Sequence, residues 1–119
     1  MSYFYTALAR ELQRVAADIH QRNIAKGFYD GAEACDPNAV LAKLALITFE
    51  VAELGEEVRK PEMPMSAKIP DFTAEEDEAA DILIRLLDYA GWRKLRVGEA
   101  AIAKLAYNET RAHKHGKRA

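Results

Sequence analysis

Residues 43–60 read KLALITFEVAELGEEVRK, and the spacing predicts a helix. At 100° per residue, Leu44, Leu46, Ile47, Phe49, Val51, Leu54 and Val58 reach almost all the way round. They leave one narrow polar stripe of Glu50, Glu53 and Glu57. A helix apolar on nearly every side is a buried helix, so Glu50 and Glu53 are expected inside a bundle rather than in free solvent. Two carboxylates at i and i+3 repel one another and are costly to desolvate. Something positive must meet them, and the simplest candidate is a divalent cation.

On the N-terminal side, Ser2 is a candidate cap for a first helix from about Tyr3 to Lys26, with Leu8, Leu12, Val15 and Ile19 as its apolar stripe. Gly27 is a natural helix stop. A loop then leads to Asp36-Pro37, an N-cap followed by proline at the first helical position, and the acidic helix runs on to about Lys60. On the C-terminal side, Pro61, Pro64 and Pro70 break residues 61–72 into an extended crossover. Thr73 with Glu76 forms a capping box opening a third helix to about Trp92. In it Ile82, Leu83, Leu86, Leu87 and Ala90 oppose a stripe of Glu78, Asp81, Arg85 and Asp88. Gly91 and Gly98 bracket a short basic turn before a last helix from Glu99 to about Ala112, whose inward residues are Ala101, Ile102, Leu105 and Ala106. With no strand pattern and no internal repeat, the reading is a single all-α domain over residues 1–119, a bundle of four main helices with a basic tail from about residue 113.

At 119 residues the chain holds one modest core. Half of it is hydrophobic and 30% charged, with a formal net charge of -2, so nothing drives it toward stable partnership with nucleic acid. The single Cys35 excludes an intramolecular disulfide and a thiolate zinc site. No apolar run spans a membrane and the N-terminus lacks signal-peptide character. The expected setting is cytoplasmic.

Two helices each carry acids at i and i+3: Glu50 with Glu53, and Glu78 with Asp81. Facing one another they would form a four-carboxylate cage, whose hard oxygens select Mg²⁺, Mn²⁺ or Ca²⁺. A solvated acidic face, helix-dipole pairing in the first turns of the third helix, or a basic partner accounts for the same pattern without metal. Lys104, Asn108, Arg111 and His115 are spaced four, three and four, so they align if the last helix continues into the tail. Cations beside a metal cage suit a polyphosphate; the alternative is an ordinary basic C-terminus. His20 and Asn23 with Phe28 and Tyr29 suit a nucleobase by stacking and edge hydrogen bonds, or simply close a core.

Glu50-x-x-Glu53, 24 residues, then Glu78-x-x-Asp81 resembles the metal motif of the MazG-like nucleotide pyrophosphohydrolases of the all-α NTP pyrophosphatase superfamily. The closing Lys104-Leu-Ala-Tyr-Asn108-Glu-Thr-Arg111-Ala-His-Lys114-His115-Gly116-Lys117 and the His20…Lys26-Gly27-Phe28-Tyr29 segment resemble one branch of that family. The resemblance implies Mg²⁺-dependent hydrolysis of a nucleoside triphosphate, a deoxynucleotide by preference, to monophosphate and pyrophosphate, with Mn²⁺ as a possible substitute. It implies that Glu50, Glu53, Glu78 and Asp81 are the metal-binding and catalytic acids. Lys104, Asn108, Arg111, Lys114, His115 and Lys117 are then substrate contacts, joined by His20, Asn23 and Phe28, and the assembly is a homodimer or homotetramer. Glu53 and Glu57 are alternative bases. Gly55, inside the acidic helix, departs from good helix propensity. The rival reading is a non-catalytic metal- or nucleotide-binding module, or a helical protein-interaction module.

Overall fold

Asp36 and Thr73 open two of the four helices with side chains suited to the task. In the computed structural model, which describes residues 3–118 apart from the side chains of Tyr3, Phe4 and His115, the helices are α1 (Tyr3–Ala25), α2 (Pro37–Val58), α3 (Ala74–Arg93) and α4 (Val97–Glu109). A 3₁₀ turn follows at His113–Gly116. The Asp36 carboxylate accepts from the Asn38 N–H at 3.0 Å, with Pro37 at the first helical position. Thr73 and Glu76 close a reciprocal capping box. Gly27 ends α1 at φ +84°, and the Phe28 N–H reaches back to the Asn23 carbonyl at 3.1 Å. The fold is all-α, as expected; among the described residues the only β pairing is one isolated bridge between Met65 and Thr73. No helix among them is long and apolar enough to cross a membrane. The expected Ser2 cap lies outside the described residues.

α3 is the central element. It packs against α1 on one side and α2 on the other, and α4 packs against α1. The seam along α1 centres on small residues; of the large apolar stripe expected there, Leu12 and Ile19 are half-buried, and Leu12 lies at the Gly98 contact. Ala9 and Ala16 are buried, whereas Leu8 and Val15 are exposed. A Cβ at Gly91 would lie 2.6 Å from the Ala16 carbonyl oxygen, and one at Gly98 2.9 Å from that of Ala9. The glycines stand on either side of the short basic turn at 94–96, as expected, but both lie within helices, α3 and α4, where they let backbones approach. α4 accordingly begins at Val97, two residues before the expected Glu99. It ends early too, at Glu109, where the Thr110 hydroxyl donates to the Tyr107 carbonyl at 2.7 Å and Ala112 turns extended. The tail therefore does not prolong the helix.

The expectation of a buried α2 is not met within the chain. Leu41, Phe49, Val51 and Val58 are all exposed, and the one buried residue of α2 is Glu50. α3 divides its expected apolar face: Leu87 and Ala90 are buried together with Asp88 and Trp92, while Leu83 and Leu86 are exposed. The polar stripes of α2 and α3 face one another, while Phe49, Val51 and Val58 of α2 and Leu83 and Leu86 of α3 face out. The radius of gyration, 16.8 Å, exceeds the about 13.5 Å typical of a compact chain this long. A Cβ at Gly55 would meet nothing within 4 Å, so among the described residues no other helix exploits the glycine for close approach.

Between α2 and α3 the crossover is a turn built on buried Ser66. Its hydroxyl donates to the Asp77 carboxylate at 2.6 Å and accepts from the Lys68 and Ile69 N–H groups at 3.1 Å each. Ser66 thus ties the turn to the first turn of α3 and fixes where Lys68 stands.

Candidate functional site

The facing polar stripes converge on one cluster. Carboxylate oxygens of Glu50, Glu78 and Asp81 lie within 4.8 Å of one another. The spacing that brings Glu78 and Asp81 to one face of α3 is i, i+3, and one further turn adds Arg85. The Arg85 guanidinium donates through Nε to Glu50 Oε1. Glu50 Oε2 is buried with no hydrogen-bond partner, and so is Glu78 Oε2. Burial first, then the charges of Glu53 and Asp81, pushes the Glu78 carboxyl above its ordinary pKa. Burial first, then the Glu50 charge, does the same to Asp81.

Buried acceptors are normally satisfied, and orphaned carboxylate oxygens on two of the three converging acids, Glu50 and Glu78, are an exception that a cation would satisfy. Oxygens up to 4.8 Å apart fit one ion with ligand distances of about 2.1–2.4 Å, since ligands on opposite sides then stand about 4.2–4.8 Å apart. An all-oxygen donor set favours Mg²⁺, Mn²⁺ or Ca²⁺. The residues present fit a hard divalent cation.

Beside this cluster lies a cavity of about 330 Å³. Glu50, Glu53, Asp81 and Lys68 line its acidic end, and Asn23, Phe28, Tyr29 and Lys43 its aromatic end. Lys43 precedes Glu50 by seven residues, two turns of the same face and about 10.5 Å along the axis. The aromatic end is held by buried Asp88, which accepts from the Tyr29 hydroxyl at 2.7 Å and stands 3.1 Å from His20 Nδ1. The Tyr29 ring meets His20 edge-on at 4.6 Å and Trp92 at 5.2 Å. Burial, then the Asp88 carboxylate, pushes the Tyr29 pKa well up, so Tyr29 remains a neutral donor. The Lys43 ammonium lies 4.0 Å over the Tyr29 ring and donates to the Phe28 carbonyl at 2.6 Å.

Of the expected acids, Glu50, Glu78 and Asp81 come together. Glu53 lines the cavity outside that trio. Glu57 pairs instead with Lys60 at 2.9 Å. Asn23 and Phe28 line the cavity; His20 stands behind it, on Asp88. Lys104, Asn108, Arg111, Lys114 and Lys117 are not brought to it. Lys104 and Arg111 flank the Tyr107 ring, at 4.8 and 5.7 Å. Asn108 keeps a buried, unpartnered Oδ1, and Lys114 donates to the Arg118 carbonyl. The His115 side chain lies outside the described residues.

The cavity's cations are Lys43, Lys68 and Arg85, and Asp88 anchors its wall; none of these stands out as a functional residue in the sequence. The available signal is positional. Arg85 and Asp88 continue the Glu78–Asp81 stripe at steps of four and three, and Lys43 shares a face with Glu50. Comparisons with protein-family models, with curated proteins and with solved structures found no match.

Proposed function

We propose that the chain is a MazG-like, Mg²⁺-dependent nucleoside triphosphate pyrophosphohydrolase, releasing pyrophosphate and a nucleoside monophosphate, with Mn²⁺ able to replace Mg²⁺. The observation that carries this reading is the orphaned, buried Glu50 Oε2 converging with Glu78 and Asp81 beside a cavity that mixes cations with aromatic rings. Acids alone suit many cations; acids beside Lys43, Lys68 and Arg85 suit a cation carried with phosphates. The paired acidic motifs and the closing segment add the resemblance to that family.

Glu50, Glu78 and Asp81 hold the cation, which when bound neutralises phosphate oxygens and favours attack by water at the α-phosphorus. Glu53 reaches the same cavity and has no hydrogen-bond or ion-pair partner among the described residues. It is therefore the acid available to orient that water and accept its proton. Glu57, paired with Lys60 through Oε1, does not line this cavity and stands instead beside Val58, Met63 and Pro64. Asn23, Phe28 and Tyr29, two turns from the cation, receive the nucleoside.

The working form is a homodimer or homotetramer. Phe49, Val51, Leu83 and Leu86 lie exposed on the two helices that carry the site, and apolar surface on that scale marks an interface. In such an assembly the basic tail of one copy is available to another copy's cavity.

The test is turnover. Glu53→Gln and Asp81→Asn are expected to abolish pyrophosphate release from deoxynucleoside triphosphates while leaving the helical circular dichroism spectrum intact. Near-normal Mg²⁺-dependent turnover in both variants would remove the acids from the mechanism.

A further inference from the structure

We propose that Arg85 is a phosphate-binding residue of this site, with Glu50 serving it and the cation at once through different oxygens. The inference rests on the proposed metal site. Arg85 stands one helical turn beyond Asp81 and lines the cavity. Its Nε donates to Glu50 Oε1, while Glu50 Oε2 has no partner. Among the described residues neither terminal nitrogen of the guanidinium has a hydrogen-bond acceptor. The Arg85 side chain is 41% exposed and that of Glu50 10%. One side of the guanidinium is therefore anchored on a buried group, and the other faces open space.

A guanidinium held through Nε keeps its two terminal amino groups as a planar fork, the geometry that matches two oxygens of a phosphate. The other cavity cations are less suited. Lys43 is committed to the Phe28 carbonyl and the Tyr29 ring, and Lys68 presents a point charge on a loop. A phosphate bound to a cation on Glu50 lies next to Arg85 because Glu50 touches both. A purely structural ion pair offers no reason for an unpaired fork.

Two titrations of the intact protein separate the possibilities. The first measures Mn²⁺ binding without nucleotide, from the electron paramagnetic resonance of free Mn²⁺. The second measures, by calorimetry at saturating Mn²⁺, the binding of imidodiphosphate, a pyrophosphate analogue with a non-hydrolysable bridge. Arg85→Gln is expected to leave Mn²⁺ affinity within about threefold of wild type and to weaken imidodiphosphate by about tenfold or more, the scale of a lost charge-assisted hydrogen bond. Arg85→Lys, which keeps the charge and loses the fork, is expected to fall between and carries the test if the glutamine variant does not fold. Equal weakening of both ligands would make Arg85 only a support for Glu50 and overturn the proposal. Unchanged imidodiphosphate binding in both variants, or none in the Mn²⁺-loaded wild type, would overturn it too. Absence of Mn²⁺ binding by the wild type would instead remove the metal site itself.

Discussion

Replacing Asp81 with asparagine should stabilise the metal-free protein and destabilise the metal-loaded one. The carboxylate oxygens of Glu50, Glu78 and Asp81 lie within 4.8 Å of one another. Two full charges at that separation repel by about 3.5 kcal/mol at an effective dielectric of about 20. Arg85 offsets part of this, and the raised pKa values of Glu78 and Asp81 record that protons offset more. A net gain of about 1–2 kcal/mol at pH 7 is therefore expected for Asp81→Asn. Unfolding entropy for 119 residues is about 0.25 kcal/mol/K, so each kcal/mol moves Tm by about 4 °C. The variant should melt about 4–8 °C above wild type in EDTA. At Mg²⁺ concentrations one hundred times Kd, wild type gains about 2.7 kcal/mol, or about 11 °C, and the variant gains nothing. The order of the two melting temperatures then reverses. The sign with pH follows from the direction of the shift. The folded state holds the Asp81 proton more tightly than the unfolded state, so wild-type stability rises as pH falls through the raised pKa and is lost as pH rises through it. The variant's advantage in EDTA should shrink on acidification. Differential scanning fluorimetry at fixed protein concentration reads all of this. An Asp81→Asn protein that melts below wild type in EDTA, or keeps the full Mg²⁺ shift, would refute the argument.

Three further outcomes are expected. Gly91→Ala should lower stability by about 1–3 kcal/mol in chemical denaturation, because its Cβ would meet the Ala16 carbonyl; Gly55→Ala, with open space around it, should not. Tyr29→Phe should cost about 1–3 kcal/mol by leaving an oxygen of buried Asp88 unpaired, and nucleotide affinity should fall with it in calorimetry. Sedimentation velocity should find an oligomer, and Phe49→Asp with Leu83→Asp should shift it to monomer by placing charges on the exposed apolar surface.

The helix boundaries set by caps were legible in the sequence. Asp36-Pro37, the Thr73–Glu76 box and Gly27 each act through their own neighbours, so local chemistry decides them. What was not legible depends on which faces meet. The apolar circumference of α2 predicts burial, yet among the described residues α3 is the one helix that packs extensively against it, and the residue buried at that contact is Glu50. The α1 seam departs from the expected stripe for a related reason. Large side chains mark a stripe, but Ala9 and Ala16 opposite Gly98 and Gly91 allow a closer helix approach than leucine does. For the site, the i, i+3 spacing places Glu78 and Asp81 on one face of α3, because helical geometry fixes spacing; Glu50 joins them, without Glu53, through the packing of α2 on α3. Lys104 and Asn108 of α4, and Arg111 just beyond it, stand apart from the cavity because α4 docks on α1, a choice of partner that spacing does not encode. The cations that do line the cavity, Lys43, Lys68 and Arg85, are spread over α2, the crossover and α3, and only the packing of those elements unites them.

The most direct measurement is pyrophosphate release from a panel of nucleoside and deoxynucleoside triphosphates, with Mg²⁺ and with EDTA. The account predicts release with Mg²⁺ that EDTA abolishes, and a ranking of the panel set by the aromatic end of the cavity. No release from any of them by folded, helical protein would contradict it.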